Sequence, residues 1–154
     1  MRKLHIMIAL FMLASVGQAR DLDNDFNFVS LDGRTIDFKS IAGAPLVMIV
    51  GAAWCPECRA EAPHIQKAYE AYQDKGVVFI GVFGNSKEEE IKEFIEDYKL
   101  AFPVGKDSGI VKAFGVRAIP QTFFFDRNGR CIKRIIGTAT YGEISEYVEK
   151  MIEK

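Results

Sequence analysis

The 154-residue chain is poor in the residues that hold metals. It has three cysteines and two histidines, and no second Cys-x-x-Cys beside the one at Cys55 and Cys58. A zinc site needs two donors beyond the pair; the chain offers Cys131 and His64, with His5 in the N-terminal segment and no second paired motif, which argues against zinc. Arg59 stands where covalent haem attachment would need a histidine, so that chemistry is excluded too. Neither sign of charge is in excess. Twenty Lys and Arg face 21 Asp and Glu, a net −1 at pH 7. That balance gives no footprint for nucleic acid or an anionic membrane surface. Repeats, heptads and low-complexity tracts are missing, which leaves no sign of a solenoid or coiled coil.

The length suits one domain with one core. A composition of 49% hydrophobic and 27% charged residues places it among soluble globular proteins, and 12 phenylalanines predict a filled interior. The N-terminus departs from that pattern. Arg2 and Lys3 lead into the apolar run from Ile6 to Val16, and Gly17-Gln18-Ala19 offers small residues for a signal peptidase. Residues 1–19 are therefore expected to be a signal peptide, cut after Ala19, with residues 20–154 as the mature domain. The alternative is an N-terminal membrane anchor, for which the run is short. No cysteine lies near the cut, so a lipidated N-terminal cysteine is excluded. Removing residues 1–19 leaves 18 basic against 21 acidic residues, a net −3. A periplasmic or other extracytoplasmic location follows, where cysteine pairs meet oxidising surroundings.

Along the mature chain, two alternating runs in residues 26–38 flank Asp32-Gly33, a hairpin signal. Leu46–Val50 and Val77–Phe83 read as strands buried on both faces. Between them a helix is expected from Cys55 to Lys75, kinked at Pro63 and ended by Gly76. Ser86 with Glu89 reads as a capping box for a second helix. A short helix over 107–114 follows. Strands at 122–126 and 131–136 flank the turn 127–130, and Thr140 with Glu143 caps a last helix. The order predicts an α/β fold, a mixed sheet with helices on both faces.

The sequence W-C-P-E-C at 54–58 falls between a strand and a helix. Residues three apart share a helix face, close enough for a disulfide. The first turn offers unpaired N–H groups and the positive dipole end, which stabilise a thiolate at Cys55. Cys58, one turn in, is expected to be the more buried. That division suits Cys55 as the attacking sulfur and Cys58 as the resolving one. A purely structural disulfide would close a tiny loop and constrain little of the unfolded chain.

The segment G-A-A-W-C-P-E-C-R-A-E-A-P resembles the active-site region of thioredoxin-fold proteins, in particular exported thiol–disulfide oxidoreductases of the TlpA/ResA/CcmG type. L-D-G-R in the hairpin, F-P-V at 102–104, F-G-V-R-A-I-P at 114–120 and F-F-D-R-N-G-R at 124–130 extend the likeness over nearly all of the mature chain. The resemblance implies a thioredoxin-like fold with a central mixed sheet, flanking helices and an N-terminal β-hairpin extension. It implies Cys55 as nucleophile, Cys58 as resolving thiol, and no cofactor beyond a Cys55–Cys58 disulfide. Pro120 matches a cis-proline beside the sulfurs. Ile119 before it would offer backbone bonds to an extended substrate. Trp54, Pro56 and Glu57 would complete the substrate-facing rim. Plain thioredoxins carry a buried aspartate six residues before the first cysteine; Ile49 stands there instead. Glu61 matches an acid of the TlpA/ResA group, one turn from Cys58, where burial would raise its pKa and let it exchange a proton with that thiol.

Glu57 opposes a thiolate beside it, with Arg59 placed to cancel part of that effect. Strong disulfide oxidants stabilise their reduced thiolate, so an acid here points toward a reductant. Cys131 reads as a small half-buried hydrophobe. The reading is a monomeric disulfide reductase acting on protein disulfides, with apocytochrome c as a family substrate and a membrane thiol-relay protein as its reductant. An oxidase or isomerase, and a non-catalytic binding module, remain the alternatives. A peroxidase fits poorly, since the reactive cysteine is not isolated.

Overall fold

The runs without polar residues become the inner strands. The structure, a computed structural model, describes residues 20–153. The expected signal segment lies outside the described residues. Among these, no helix is long and apolar enough to cross a membrane. The chain order is β1 (Asn27–Val29), β2 (Thr35–Asp37), β3 (Leu46–Gly51), α1 (Pro56–Tyr72), β4 (Val78–Phe83), α2 (Glu88–Tyr98), β5 (Val104–Lys106), α3 (Ile110–Ala113), β6 (Gln121–Phe125), β7 (Cys131–Ile136) and α4 (Tyr141–Ile152). β1 and β2 form the antiparallel hairpin. The main sheet runs β5-β4-β3-β6-β7, with β3, β4 and β5 parallel and β6 and β7 antiparallel. This is the mixed-sheet thioredoxin-like architecture with its hairpin extension.

Strand alternation sorts the core into two layers. Val47, Ile49, Phe79 and Phe124 face the apolar stripes of α1, α2 and α4. Met48, Ile80, Phe123 and Phe125 face the other way. There the hairpin and its leader supply Leu22, Phe26, Phe28 and Ile36, and the segment around α3 supplies Ile110 and Phe114. Phe114 stands edge-on to Phe123 and Phe125, at 5.7 and 5.8 Å between ring centroids. The hairpin is thus part of the core rather than an appendage. Leu31 N–H donates to the Val104 carbonyl at 2.9 Å and ties it to β5.

Several local expectations shift. α1 ends at Tyr72, and a 3-10 turn over Gln73–Lys75 carries the chain to Gly76 at φ 77°. The helix runs unbroken through Pro63, although the proline ring has no N–H for the Arg59 carbonyl. α2 begins at Glu88 with Lys87 as its N-cap, not at Ser86. Glu90 accepts from the Lys87 N–H at 2.8 Å, but a lysine side chain has no acceptor to complete the box. α3 spans four residues, fewer than the expected 107–114. The capping box of α4 forms as expected: Thr140 Oγ1 accepts from Glu143 N–H at 3.3 Å, and Glu143 accepts from Thr140 N–H at 2.9 Å. The edge strand β5, which three residues give no period to betray, is an addition to the expected order.

Gly105 marks where the hairpin meets β5. A Cβ there would stand 2.4 Å from the Val29 carbonyl oxygen and 3.0 Å from Phe28. Gly105→Ala is therefore expected to lift the hairpin and lower stability by roughly 1–3 kcal/mol. Chemical denaturation measures this, and a midpoint equal to wild type would show that the contact is slack.

Candidate active site

Cys55 is the N-cap of α1. Its backbone is extended at φ −79° and ψ 121°, and its sulfur accepts from the Cys58 N–H at 3.2 Å. That is the bond a serine or aspartate N-cap makes to the third helical residue, here received by sulfur. Pro56 follows at the first helical position, where the missing N–H costs nothing. So C-P-E-C is a helix start with thiol chemistry at its cap. The two sulfurs are not joined by a disulfide in this structure. Glu57 is exposed and accepts from the Cys55 thiol at 3.8 Å.

The loop before Cys55 is pinned from three sides. Ala53 N–H donates to Ser86 Oγ at 3.0 Å, and that hydroxyl donates to the Gly84 carbonyl at 3.1 Å. This use of the hydroxyl is why Ser86 does not cap α2. Arg59 Nε donates to the Ala53 carbonyl at 3.1 Å. Trp54 donates from its ring nitrogen to the Asn85 carbonyl at 2.8 Å and stays 55% exposed beside the sulfurs. Asn85 adopts φ 46°, which asparagine tolerates. Gly51 ends β3 where a Cβ would come within 3.0 Å of Cys58 Sγ, so glycine leaves the thiol its room.

Opposite this loop, the Ile119–Pro120 peptide bond is cis. Ile119 packs on the cluster of Ala52, Cys55 and Cys58. The segment joining β7 to α4 closes the far side. Gly137 N–H donates to the Pro120 carbonyl at 2.9 Å, Thr138 Oγ1 donates to the Glu57 carbonyl at 3.4 Å, and Ala139 N–H donates to Glu61 Oε1 at 3.0 Å.

Glu61 is 1% exposed. Its Oε1 also accepts from Thr122 Oγ1 at 3.0 Å, while Oε2 has no partner among the described residues. Burial pushes the carboxyl up to about 7 against the opposing pull of the Ala139 and Thr122 hydrogen bonds. Burial first, then contact with Cys55, holds the Cys58 thiol well above the ordinary thiol range; the Glu61 charge adds to this. Glu61 and Cys58 line the same apolar cavity, about 10 Å³ open to a water centre, with Gly51, Ile65 and Phe83. That is room for about one water molecule.

The AhpC/TSA family profile matches residues 19–134. The chain belongs to the AhpC/TSA family. Thiol-disulfide oxidoreductase ResA of Bacillus thuringiensis subsp. konkukian is 33% identical over 129 residues, 81% of this chain and 75% of that protein. The ResA of Halalkalibacterium halodurans is 31% identical over 135 residues, 85% of this chain and 77% of its own. Among solved structures, StoA from Bacillus subtilis superposes with a TM-score of 0.71 at 26% identity, over 80% of this chain and 95% of its own. Within the AhpC/TSA family this chain thus stands with thiol–disulfide oxidoreductases of the ResA kind.

The fold brings Trp54, Cys55, Pro56, Glu57, Cys58, Glu61, Ile119 and Pro120 to one end of the sheet. Two expectations need correction. Cys58 is not the more buried residue of the pair: Cys55 is 2% exposed and Cys58 5%, with Ile119 packed against their cluster. Arg59 does not offset Glu57. It turns away to Ala53, to Asp97 at 3.7 Å and to the Phe94 ring at 5.7 Å. Cys131 lies apart, half-buried, with burial pushing its thiol up to about 11. Ser86, Thr122 and the 137–139 segment hydrogen-bond the residues around the cysteines, contacts that the sequence did not reveal. Thr122 had one available signal: a hydroxyl heading the buried run T-F-F-F.

A carboxyl held above its unfolded value contributes stability that is complete below that value and lost as pH rises through the folded one. For Glu61 the window runs from an ordinary 4.5 to about 7. The loss across it is expected to be roughly 3 kcal/mol. Glu61→Gln removes this part of the pH dependence. Urea denaturation of both proteins between pH 4.5 and 8 measures it, and parallel profiles would contradict the assignment.

Proposed function

We propose that the protein is an exported thiol–disulfide oxidoreductase that reduces protein disulfides through Cys55 and Cys58. The observation that carries this reading is the Cys58 N–H directed at Cys55 Sγ, beside Ile119 and Pro120. A hydrogen bond from a helix N-terminus is what a thiolate nucleophile and leaving group needs. Cys55 as thiolate attacks one sulfur of a substrate disulfide. The first S–S bond breaks, a Cys55–substrate disulfide forms, and the released substrate sulfur takes a proton. Cys58 then gives its proton to Glu61 and attacks Cys55 Sγ. The mixed disulfide breaks, the Cys55–Cys58 disulfide forms, and the second substrate sulfur leaves to be protonated. The substrate gains two electrons and the protein loses them.

Trp54, Pro56 and Glu57 form the exposed rim, and the Ile119 backbone receives an extended substrate segment by strand addition. Glu57 supports the reducing direction. Its carboxylate lies 3.8 Å from Cys55 Sγ, and Arg59 is engaged elsewhere. An acid there disfavours the thiolate form on which a strong oxidant depends. We assign the protein to an extracytoplasmic space, on the strength of residues 1–19, working as a monomer. Such a space lacks a soluble reducing pool, so a membrane thiol-relay protein is the partner that restores the dithiol. Apocytochrome c, whose haem-site cysteines oxidise to a disulfide, is the substrate class that the resemblance to the exported TlpA/ResA/CcmG type implies.

Dithiothreitol-driven insulin reduction is expected to fall to the uncatalysed rate in Cys55→Ala. Activity surviving that change would exclude the Cys55/Cys58 mechanism. The reduction potential is expected nearer the about −270 mV of thioredoxin than the about −120 mV of the strong periplasmic oxidant. Glu57→Gln should move it toward the oxidising end. A value near the oxidant end would overturn the reductase direction. In the native host, Cys58→Ser should accumulate mixed disulfides on Cys55, and mass spectrometry of these names the substrates.

A further inference from the structure

Thr122 is a fully buried hydroxyl in the central antiparallel part of the sheet, paired in register with Ile49 of β3. It shares its face with Phe124 and looks toward α1 and α4, while Phe123 and Phe125 look away. On an otherwise apolar face a hydroxyl needs a partner. Its partner is Glu61 Oε1, at 3.0 Å, with Ala139 N–H on the same oxygen at 3.0 Å. Both available donors therefore converge on one carboxyl oxygen. The other, Oε2, is buried and has no partner among the described residues.

We propose that Thr122 is a positioning residue: with the Ala139 N–H it holds Glu61 Oε1, which reserves Oε2 for proton exchange with Cys58. A neutral carboxyl carries its proton on one oxygen, and an oxygen already receiving two donors is the poor site for it. The proton thus resides on Oε2, and Oε2 is the atom that takes it from the Cys58 S–H. In that step the S–H bond breaks and an O–H bond forms, with no change in oxidation state. The cavity shared by the two groups brings no competing titratable side chain. β3 and β4 line it with Gly51 and Phe83 and α2 with Phe94; outside its lining, Thr122 of β6 and the Ala139 backbone before α4 meet Glu61 at Oε1, and neither titrates. Cys58 is the titratable neighbour. The hydroxyl also sets the pH at which the exchange operates, because donation to Oε1 favours the carboxylate.

The inference rests on Glu61 as the proton partner of Cys58, so the test separates the two. Full-length reduced protein carrying carboxyl-labelled glutamate is titrated by carbon-13 NMR as wild type, Thr122→Val and Thr122→Ser. Valine keeps the β-branched shape that suits the strand and removes only the donor. The Glu61 midpoint is expected to rise by about one pH unit in Thr122→Val and to stay near wild type in Thr122→Ser. Thr122→Ala, which also lacks the donor, should repeat the rise and serves if the valine variant folds poorly. The pH profile for resolution of a Cys55 mixed disulfide should move upward by the same amount in the hydroxyl-free variants. An unchanged Glu61 midpoint in Thr122→Val, or an equal rise in Thr122→Ser, overturns the inference. A resolution rate indifferent to Glu61→Gln instead overturns the proton-partner role, whatever the midpoints show.

Discussion

The backbone N–H of Cys58 lies 3.2 Å from the sulfur of Cys55, and the site is built to keep that contact in place. A sulfur is a weak acceptor in its neutral form and a strong one as a thiolate. A helix capped by cysteine therefore holds its first turn best when the cap is charged. The surrounding bonds all bear on the direction from which the chain enters α1. Ser86 holds the Ala53 N–H, Arg59 holds the Ala53 carbonyl, and Trp54 is tied to Asn85. With both ends of that short loop held, Cys55 has little freedom to leave the cap. The parallel pairing of β3 with β4 decides where Gly51 ends and thus where the helix begins.

Beneath the cap, the fold tolerates a carboxyl where apolar side chains would be more stable. Glu61 sits among Ile65, Phe83 and Phe94, in a place that penalises its charged form. Two donors on one oxygen offset part of that cost and leave the other oxygen free to act. Burial also makes the Cys58 thiol reluctant to ionise, so the two neighbours both resist negative charge. A proton moving between them changes which group carries the charge without adding a second one. Such a pair suits a resolving thiol that must stay protonated until the mixed disulfide has formed.

The hairpin joins these arrangements to the rest of the molecule. Phe28 packs under the sheet, and β5 bears Gly105 against the Val29 carbonyl. Among the described residues, the layer on that side has the four-residue α3 as its one regular helix. Without Leu22, Phe26 and Phe28 the apolar undersides of β3 and β6 would face water. The β6 strand that carries Thr122 and follows Pro120 therefore depends on both layers for its position.

Much of this was legible along the chain. The W-C-P-E-C segment, the buried runs at β3 and β4, the Asp32-Gly33 hairpin and the Thr140–Glu143 cap each announce themselves within a few residues. Their signals are local: strand alternation, helical spacing, turn geometry and a side chain reaching its own helix terminus. Ser86 shows where such reasoning stops. Its spacing to Glu89 matches a capping box, yet its hydroxyl is taken by Ala53, 33 residues away. Thr122 and Ala139 reach Glu61 across 61 and 78 residues, and Arg59 leaves Glu57 for Asp97 because the two helices pack side by side. Local sequence signals were enough to mark the cysteine pair, the helix that starts on it and the layered sheet. Which donors meet the buried carboxyl, which oxygen they leave without a partner and how Ile119 comes to pack beside Cys55 emerge only in three dimensions. Those outcomes depend on contacts between distant strands and loops, and no periodicity records them.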